Sequence, residues 1–379
     1  MVLEEKDDRS GGSTIMLPSE AINCPNQDRG RIEKLGLGID IGGTKIEGVA
    51  LDQAGHILAT YRIPSRRGNQ AIHDDTVQVV RELTGQVLRR GTEVPRNRIT
   101  IGLGIPGRID SRAGTVDNAV NLGIDHMDLA RSVEDTLELS VRVENDVNIA
   151  ALGAASLAET NPTGRSPSRT EAEADDHSVH GDIAEGRSLP PEDDQVTVFI
   201  NLGTGLAAGI IRNGTIEHGA NGVIGEIGHI PVDPHEFRCK CGQSGCLETV
   251  ASGSAVQALW PGIRHPLPDM IDKARRGDRT AAERLRIIGN GIAQAIQIVA
   301  LTIDPNVIIL GGGLTKTGQP LLDLVREQLE ARARKSHFIA SLDLPERVRL
   351  SSTDKPIAAI GAALAGSRAA GPGIHLSGE

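Results

Sequence analysis

Across residues 35–51 apolar and polar positions alternate and glycines interrupt them, which predicts a strand, a tight turn and a returning strand. Over 71–90 the spacing becomes helical, with Ile72, Val79, Val80, Leu83, Val87 and Leu88 apolar. Residues 99–105 form a β-rich run closed by the turn signal Pro106-Gly107. Residues 129–139 read as a helix, 141–144 as a short strand and 147–158 as an Ala-rich helix. After a polar interval the pattern resumes with a strand at 196–202, a long helix at 280–302 and a strand at 307–310. Helices at 321–334 and 357–365 follow, the last rich in Ala and Gly. Both halves therefore mix strands and helices, the pattern of an α/β protein.

Three stretches break the pattern. Residues 1–34 are polar and lack a helical period, and are expected to be a disordered extension. In 159–194 ten acidic and three basic residues give −7, with almost no large apolar residue. Such a stretch cannot offset its ordering entropy, so a disordered insertion is expected there. Residues 367–379 read as a flexible tail. The expected domains are 35–147, completed by the C-terminal helix 357–366, and a larger one at 148–356.

One motif occurs twice. Ile39-Asp40-Ile41-Gly42-Gly43-Thr44, then Gly48-Val49-Ala50, parallels Ile200-Asn201-Leu202-Gly203-Thr204-Gly205, then Gly209-Ile210-Ile211. Two such hairpins in two α/β halves suggest similar domains facing each other across a cleft. The length of 379 residues suits two domains.

Composition narrows the function. The net charge of −10 disfavours binding to a nucleic-acid backbone. Trp, Tyr and Phe number 1, 1 and 3, too few for stacking on single strands, so the core must be aliphatic. Gly numbers 45, so many glycines need backbone reasons. No run of 18 apolar residues appears and the N-terminus lacks a signal pattern, so the expectation is a cytoplasmic protein without a membrane partner.

Gly/Thr turns after strands let backbone N–H groups approach a phosphate, and two opposed turns could grip adjacent phosphates of one nucleotide. One copy alone is explained better by an ordinary hairpin; the repetition favours the phosphate reading. Asp40, at the end of the first strand, could hold Mg²⁺. Gly311-Gly312-Gly313 follows the strand at 307–310 and could let adenine or ribose lie flat, or could be a flexible turn; spacing alone does not separate the two. Asp146, in Glu144-Asn145-Asp146, could accept a hydroxyl proton during phosphoryl transfer, while a helix N-cap is the commoner use of such residues.

His229, Cys239, Cys241 and Cys246 supply a tetrahedral N/S set for a structural Zn²⁺. Three of the four cysteines in the chain fall within eight residues, which argues against unrelated buried thiols. Glu226 and Glu248 flank this loop, 229–246, as acceptors suited to a polyhydroxyl ligand.

In this order the motifs resemble the ROK family of bacterial sugar kinases and repressors, from about residue 35 to about 366. Asp40-Ile41-Gly42-Gly43-Thr44-Lys45 and Asn201-Leu202-Gly203-Thr204-Gly205 look like its two phosphate motifs. Glu144-Asn145-Asp146 looks like the segment with the catalytic aspartate, and 225–248 like the family signature with its zinc loop. The resemblance implies a two-domain actin-like, ribonuclease-H-like ATPase fold with a cleft between domains that close on ATP and a hexose. It implies Asp146 as general base and Asn121, Asn145, Asp146, Glu226, His229 and Glu248 as sugar ligands. Asp40, Gly42, Gly43, Thr44, Lys45, Gly203, Thr204, Gly205, Gly311, Gly312 and Gly313 would handle the nucleotide and Mg²⁺. A homo-oligomer, dimer or tetramer, is also implied.

Two departures stand out: the 159–194 insertion, and Ala207 where such kinases often carry glycine. The run Cys246-Leu247-Glu248-Thr249 also looks like the repressor branch. Repressors of the family carry a winged helix-turn-helix before the first domain. The 34 residues preceding the fold, at net −2, are too short and acidic for that. With both phosphate turns and Asp146 present, a silent sugar-binding protein is the weaker reading. The expected function is ATP-dependent hexose phosphorylation, with glucose first and mannose, fructose, N-acetylglucosamine and N-acetylmannosamine open.

Overall fold

The structure, a computed structural model, describes residues 32–91, 94–159 and 195–368. The disordered stretches expected at 1–34 and 159–194 and the tail at 367–379 lie almost wholly outside the described residues.

The chain begins with β1 Leu35–Ile41, β2 Lys45–Leu51, β3 Ile57–Pro64 and α1 Asn69–Leu88. It continues through β4 Ile99–Ile105, β5 Arg108–Asp110, β6 Thr115–Ala119, β7 Ile124–Met127, α2 Leu129–Leu137, β8 Val141–Asn145 and α3 Asp146–Glu159. The second half opens with β9 Val196–Leu202, β10 Leu206–Arg212 and β11 Thr215–Ile216. Four helices follow: α4 Glu248–Ala251, α5 Gly253–Leu259, α6 Pro266–Arg275 and α7 Arg279–Ile303. Then come β12 Val307–Gly311, α8 Gln319–Ala333, α9 His337–Ala340, α10 Leu344–Arg347, β13 Val348–Leu350 and α11 Ile357–Arg368.

The two main sheets share one plan. The first runs β3-β2-β1-β4-β8 and the second β11-β10-β9-β12-β13. In each, an antiparallel hairpin (β1/β2, β9/β10) leads into parallel pairing (β1/β4, β9/β12). Asp40 pairs with Glu47 and Gly104, while Asn201 pairs with Ala207 and Gly311. The repeat read in the sequence therefore places Asp40 and Asn201 at equivalent points. A small third sheet, β5-β6-β7, accompanies the first.

Each main sheet has its own aliphatic core, and a third core lies between them. That third core joins Ala151 and Leu152 of α3 and Ile360 and Leu364 of α11 to Val49 and Leu51 on one side and Phe199 and Ile309 on the other. Several glycines exist to make this packing possible. A Cβ on Gly102 would come within 1.8 Å of Ala362 O in α11, and one on Gly153 within 2.0 Å of Ile357 O. Backbone therefore lies directly on backbone where α11 meets β4 and α3.

The helix and strand expectations hold with small shifts at the ends, such as α1 starting at Asn69 after Gly68 at φ +94°. The pattern did not reveal β3, whose exposed positions dominate, or β5–β7, which are too short to show a period. Among the described residues α7 is long and apolar enough to cross a membrane, but it is a core helix. Leu285, Ile288, Ile292, Ile296 and Val299 are buried in the second core.

Candidate functional site

The β1–β2 turn presents Gly43 and Thr44 to solvent. Gly42 N–H donates to Lys45 O at 2.9 Å, and Ser65 N–H, just past β3, donates to Thr44 O at 3.1 Å. The β9–β10 turn is braced differently. The N–H groups of Gly253 and Ser254, at the start of α5, donate to Gly203 O at 2.7 Å and Thr204 O at 3.2 Å. With those carbonyls engaged, the turn is left as a donor surface.

This second turn borders a cavity of about 510 Å³ lined by Gly203, Thr204, Gly253, Ser254, Gln257 and Gly313. Gly312, at φ +86°, backs the cavity: a Cβ there would lie 2.5 Å from Asn201 Oδ1 and 2.7 Å from Gly203 N. Gly311 is absent from the lining, because it lies within β12, where a Cβ would strike the Phe199 ring at 2.1 Å. Ser254 and Gln257 were missed in the sequence. The signal was the N-cap: Ser252 Oγ accepts from Ala255 N–H at 3.2 Å and starts α5 beside the turn.

The charge of Asp146 reaches Asp40, and that of Glu226 reaches Asp146. Burial and the negative charge of Asp146 push the Asp40 carboxyl up to about 7, with Lys45 opposing and Glu47 adding. Lys45 Nζ donates to Glu47 Oε2 at 2.6 Å, and Arg62 also holds Glu47. Lys45 is thus engaged beside the turn rather than extended from it. Burial also raises Asp146; its backbone hydrogen bonds oppose this and Glu226 adds to it.

Of the two uses weighed for the Asn145-Asp146 pair, the helix cap is seen at Asn145. Asn145 Oδ1 accepts from Val147 N–H at 2.9 Å and Asn148 N–H at 3.4 Å, so Asn145 caps α3. Its Nδ2 donates to Gly107 O at 3.4 Å. Asp146 Oδ1 accepts from Val147 N–H at 3.0 Å. Glu144 is buried and bound to Arg142, Ser111 and His218.

The ligand atoms of His229, Cys239, Cys241 and Cys246 all lie within 4.8 Å of one another. Cys241 Sγ is 3.7 Å from Cys246 Sγ, and Cys239 Sγ is 3.9 Å from His229 Nδ1. Four ligands at about 2.3 Å from a tetrahedral zinc would be about 3.8 Å apart, so the set fits that ion. The loop folds this way through the bridges Pro231↔Cys246 and Arg238↔Ser244, with Gly242 and Gly245 at φ +99° and +77°. Hydrogen bonds from Gln243 pull the Cys241 thiol down to about 6, while burial pushes Cys239 up to about 12. A cation would be needed to hold all three as thiolates.

Glu248 links the cluster to the second turn. Cys239 Sγ donates to its Oε1 at 3.1 Å, and a Cβ on Gly205 would lie 3.1 Å from its Oε2. Asn121 is exposed next to the first turn: a Cβ on Gly43 would lie 3.5 Å from Asn121 Cβ. Arg67 Nη2 donates to Val120 O at 3.0 Å and Gly68 N–H to Leu122 O at 2.8 Å, holding the Asn121 turn. Three neighbourhoods thus form: Asp40 with Asp146 and Glu226; Glu248 with His229, the thiols and Gly205; and Asn121 with Gly43.

A profile described as the ROK family matches residues 36–164 and 184–367. A glucokinase from Halalkalibacterium halodurans is 32% identical over 318 residues, 78% of this chain and 86% of that protein. The DNA-binding transcriptional dual regulator NagC of Escherichia coli is 26% identical over 79% of this chain and 68% of that protein. A ROK family glucokinase from Streptomyces griseus, solved with glucose and AMPPNP, superposes with a TM-score of 0.61 at 26% identity, covering 88% of this chain and 99% of that one. The architecture is the two-domain actin-like ATPase fold.

Proposed function

This chain belongs to the ROK family, and from that premise we propose that it transfers the γ-phosphoryl group of ATP to a hexose hydroxyl, with glucose the first candidate. The observation that carries this reading is the pair of sheets of equal plan with matching Gly/Thr turns, together with a buried Asp146 whose charge reaches Asp40 beside the first turn.

Asp146 Oδ2 would accept the proton of the attacking hydroxyl as the phosphorus–oxygen bond forms. A carboxylate raised toward neutrality accepts that proton more readily than an ordinary one. Asn121, Asn145, Glu226, His229 and Glu248 would orient the sugar, Asn145 through its Nδ2 because its Oδ1 caps α3. The N–H groups of Gly203-Thr204-Gly205 and Gly42-Gly43-Thr44 would hold the phosphates. Gly313, Ser254 and Gln257, which line the cavity, would take the nucleoside, with Gly312 letting the chain turn against Gly203 behind them. Asp40 would hold Mg²⁺, which neutralises phosphate charge when bound. His229, Cys239, Cys241 and Cys246 would hold Zn²⁺, which would fix Glu248 beside the second turn. The two domains, 35–147 with 357–366 and 148–356, would close on both substrates in the cytoplasm.

The similarity to NagC favours one second reading, a sugar-responsive regulator. Coupled ADP release with glucose, mannose, fructose, N-acetylglucosamine and N-acetylmannosamine, each against ATP alone, tests the kinase reading and ranks the sugars. Turnover with none of them, together with a sugar-sensitive gel shift, would favour the regulator.

A further inference from the structure

The buried Glu144 carboxylate joins the two halves of the molecule. Within the first half, Arg142 Nε and Nη2 donate to Oε1 at 3.0 and 2.8 Å, and Ser111 Oγ donates to Oε2 at 2.9 Å. From the second half, His218 Nε2 donates to Oε1 at 3.1 Å and Oε2 at 2.9 Å. Two strands of chain leave this pair. One runs from Glu144 through the cap Asn145 to Asp146. The other runs from His218 through Gly219, Gly222 and Gly225, all at positive φ, to Glu226. Three such glycines give this second stretch little stiffness of its own. The far end of this stretch acts on the end of the first, because the charge of Glu226 reaches the Asp146 carboxyl and helps to raise it.

We propose that His218 and Glu144 are a positioning pair that registers Glu226 against Asp146 across the cleft. This deepens the kinase reading and rests on it for its kinetic consequences. Neither residue touches the reacting atoms in this assignment; each acts through the short segment that follows it. Without the pair, the 219–226 stretch would keep its backbone ties to the second half, Glu217 N–H to Ile210 O at 2.9 Å and Ala208 N–H to Gly225 O at 2.7 Å, but lose this link to the first half, and the sugar itself would have to order Glu226 against Asp146. That ordering cost belongs in KM rather than kcat.

The electrostatics agree. The hydrogen bond to Glu144 raises the His218 imidazole, against burial and against the charges of Arg142 and Arg112, which also face it. Burial would raise Glu144, but the hydrogen bonds and charges of His218 and Arg142 hold it below its ordinary value. The charged pair is therefore complete between Glu144's lowered pKa and His218's raised one. It weakens as pH falls through the former or rises through the latter.

The test compares His218→Ala and His218→Gln with wild type. Gln keeps a side-chain donor but no titratable charge. Hydrogen exchange of the full chain without substrates gives a readout that needs no catalysis. His218→Ala is expected to speed exchange across 219–226 and to raise the hexose KM about 10-fold, the scale of one charge-assisted hydrogen bond, with kcat within about threefold. His218→Gln should recover most of the KM and flatten its rise at alkaline pH. Unchanged exchange and KM in His218→Ala would overturn the proposal. So would a loss of melting temperature with KM and kcat falling together and no recovery in His218→Gln. If wild type shows no hexose-dependent turnover, the kinase reading fails separately, and the exchange result still judges the pair.

Discussion

The turns at Gly42-Gly43-Thr44 and Gly203-Thr204-Gly205 occupy the same point in two sheets of the same plan, yet the strand residue beside each differs in charge. Beside the first, Asp40 lies across from Glu47 and within the field of Asp146. Beside the second, the equivalent residue is the neutral Asn201, across from Ala207. The first turn is braced by its own sheet edge through Ser65; the second is braced by a separate helix, α5, and borders a cavity. A duplicated backbone motif has thus been given two jobs. The acidic copy suits a cation and a proton acceptor, and the neutral copy suits phosphate oxygens and a nucleoside.

The largest expected effect breaks the acidic side. Asp146→Asn keeps the size and the hydrogen bond to Val147 but cannot accept a proton. It should lower kcat by about 10²-fold or more while hexose affinity changes modestly, as steady-state kinetics and calorimetric titration would reveal. A variant that keeps most of its kcat would remove Asp146 from the mechanism.

The neutral side should fail differently. Gly205→Ala places a methyl 3.1 Å from Glu248 Oε2 at the turn proposed to approach phosphate. ATP KM should rise about 10-fold, the scale of one lost charge-assisted contact, with a smaller loss of hexose binding through the displaced Glu248 in titrations. If hexose binding suffers as much as ATP binding, the division between the two turns is wrong.

How much of this was legible follows from what each signal needs. The repeated Gly/Thr hairpins announced two sheets because hairpin turns leave a local mark. The Cys/His loop announced its cluster because four ligands of two types fell within a short span. Asp146 was ambiguous with a helix cap; the fold puts the cap on its neighbour Asn145, which sequence spacing alone does not distinguish. Ser254, Gln257 and the Glu144–His218 pair were not legible, since each depends on elements far apart in the chain. Gly311 belonged to a visible motif, but only the Phe199 ring packed against it shows that it serves the core.

Smaller effects sharpen the comparison. Asp40 carries a carboxyl raised to about 7, so the folded state holds its proton where the unfolded state does not. Wild-type stability should therefore fall as pH rises from about 4 to about 7 on this account. Asp40→Asn should melt higher than wild type at pH 8, with the gap closing near pH 4, and should lose the stabilisation that Mg²⁺ gives wild type. Equal melting curves at pH 8 would mean the Asp40 charge is not strained. Elemental analysis should find about one zinc per chain. A folded, active sample without zinc would show that Glu248 is held by protein contacts alone. Smallest of all, Trp260, the single tryptophan, follows α5, whose first turn lines the cavity. Its fluorescence should change with nucleotide and stay constant with hexose alone.

The central claim is that the two turns together move a phosphoryl group from ATP to a sugar. The most direct measurement follows γ-labelled ATP with glucose in a single turnover, separating labelled hexose phosphate from labelled inorganic phosphate. The account predicts label on the sugar in wild type, little in Asp146→Asn and negligible release without sugar. Label appearing only as inorganic phosphate, at the same rate with and without any hexose, would contradict it.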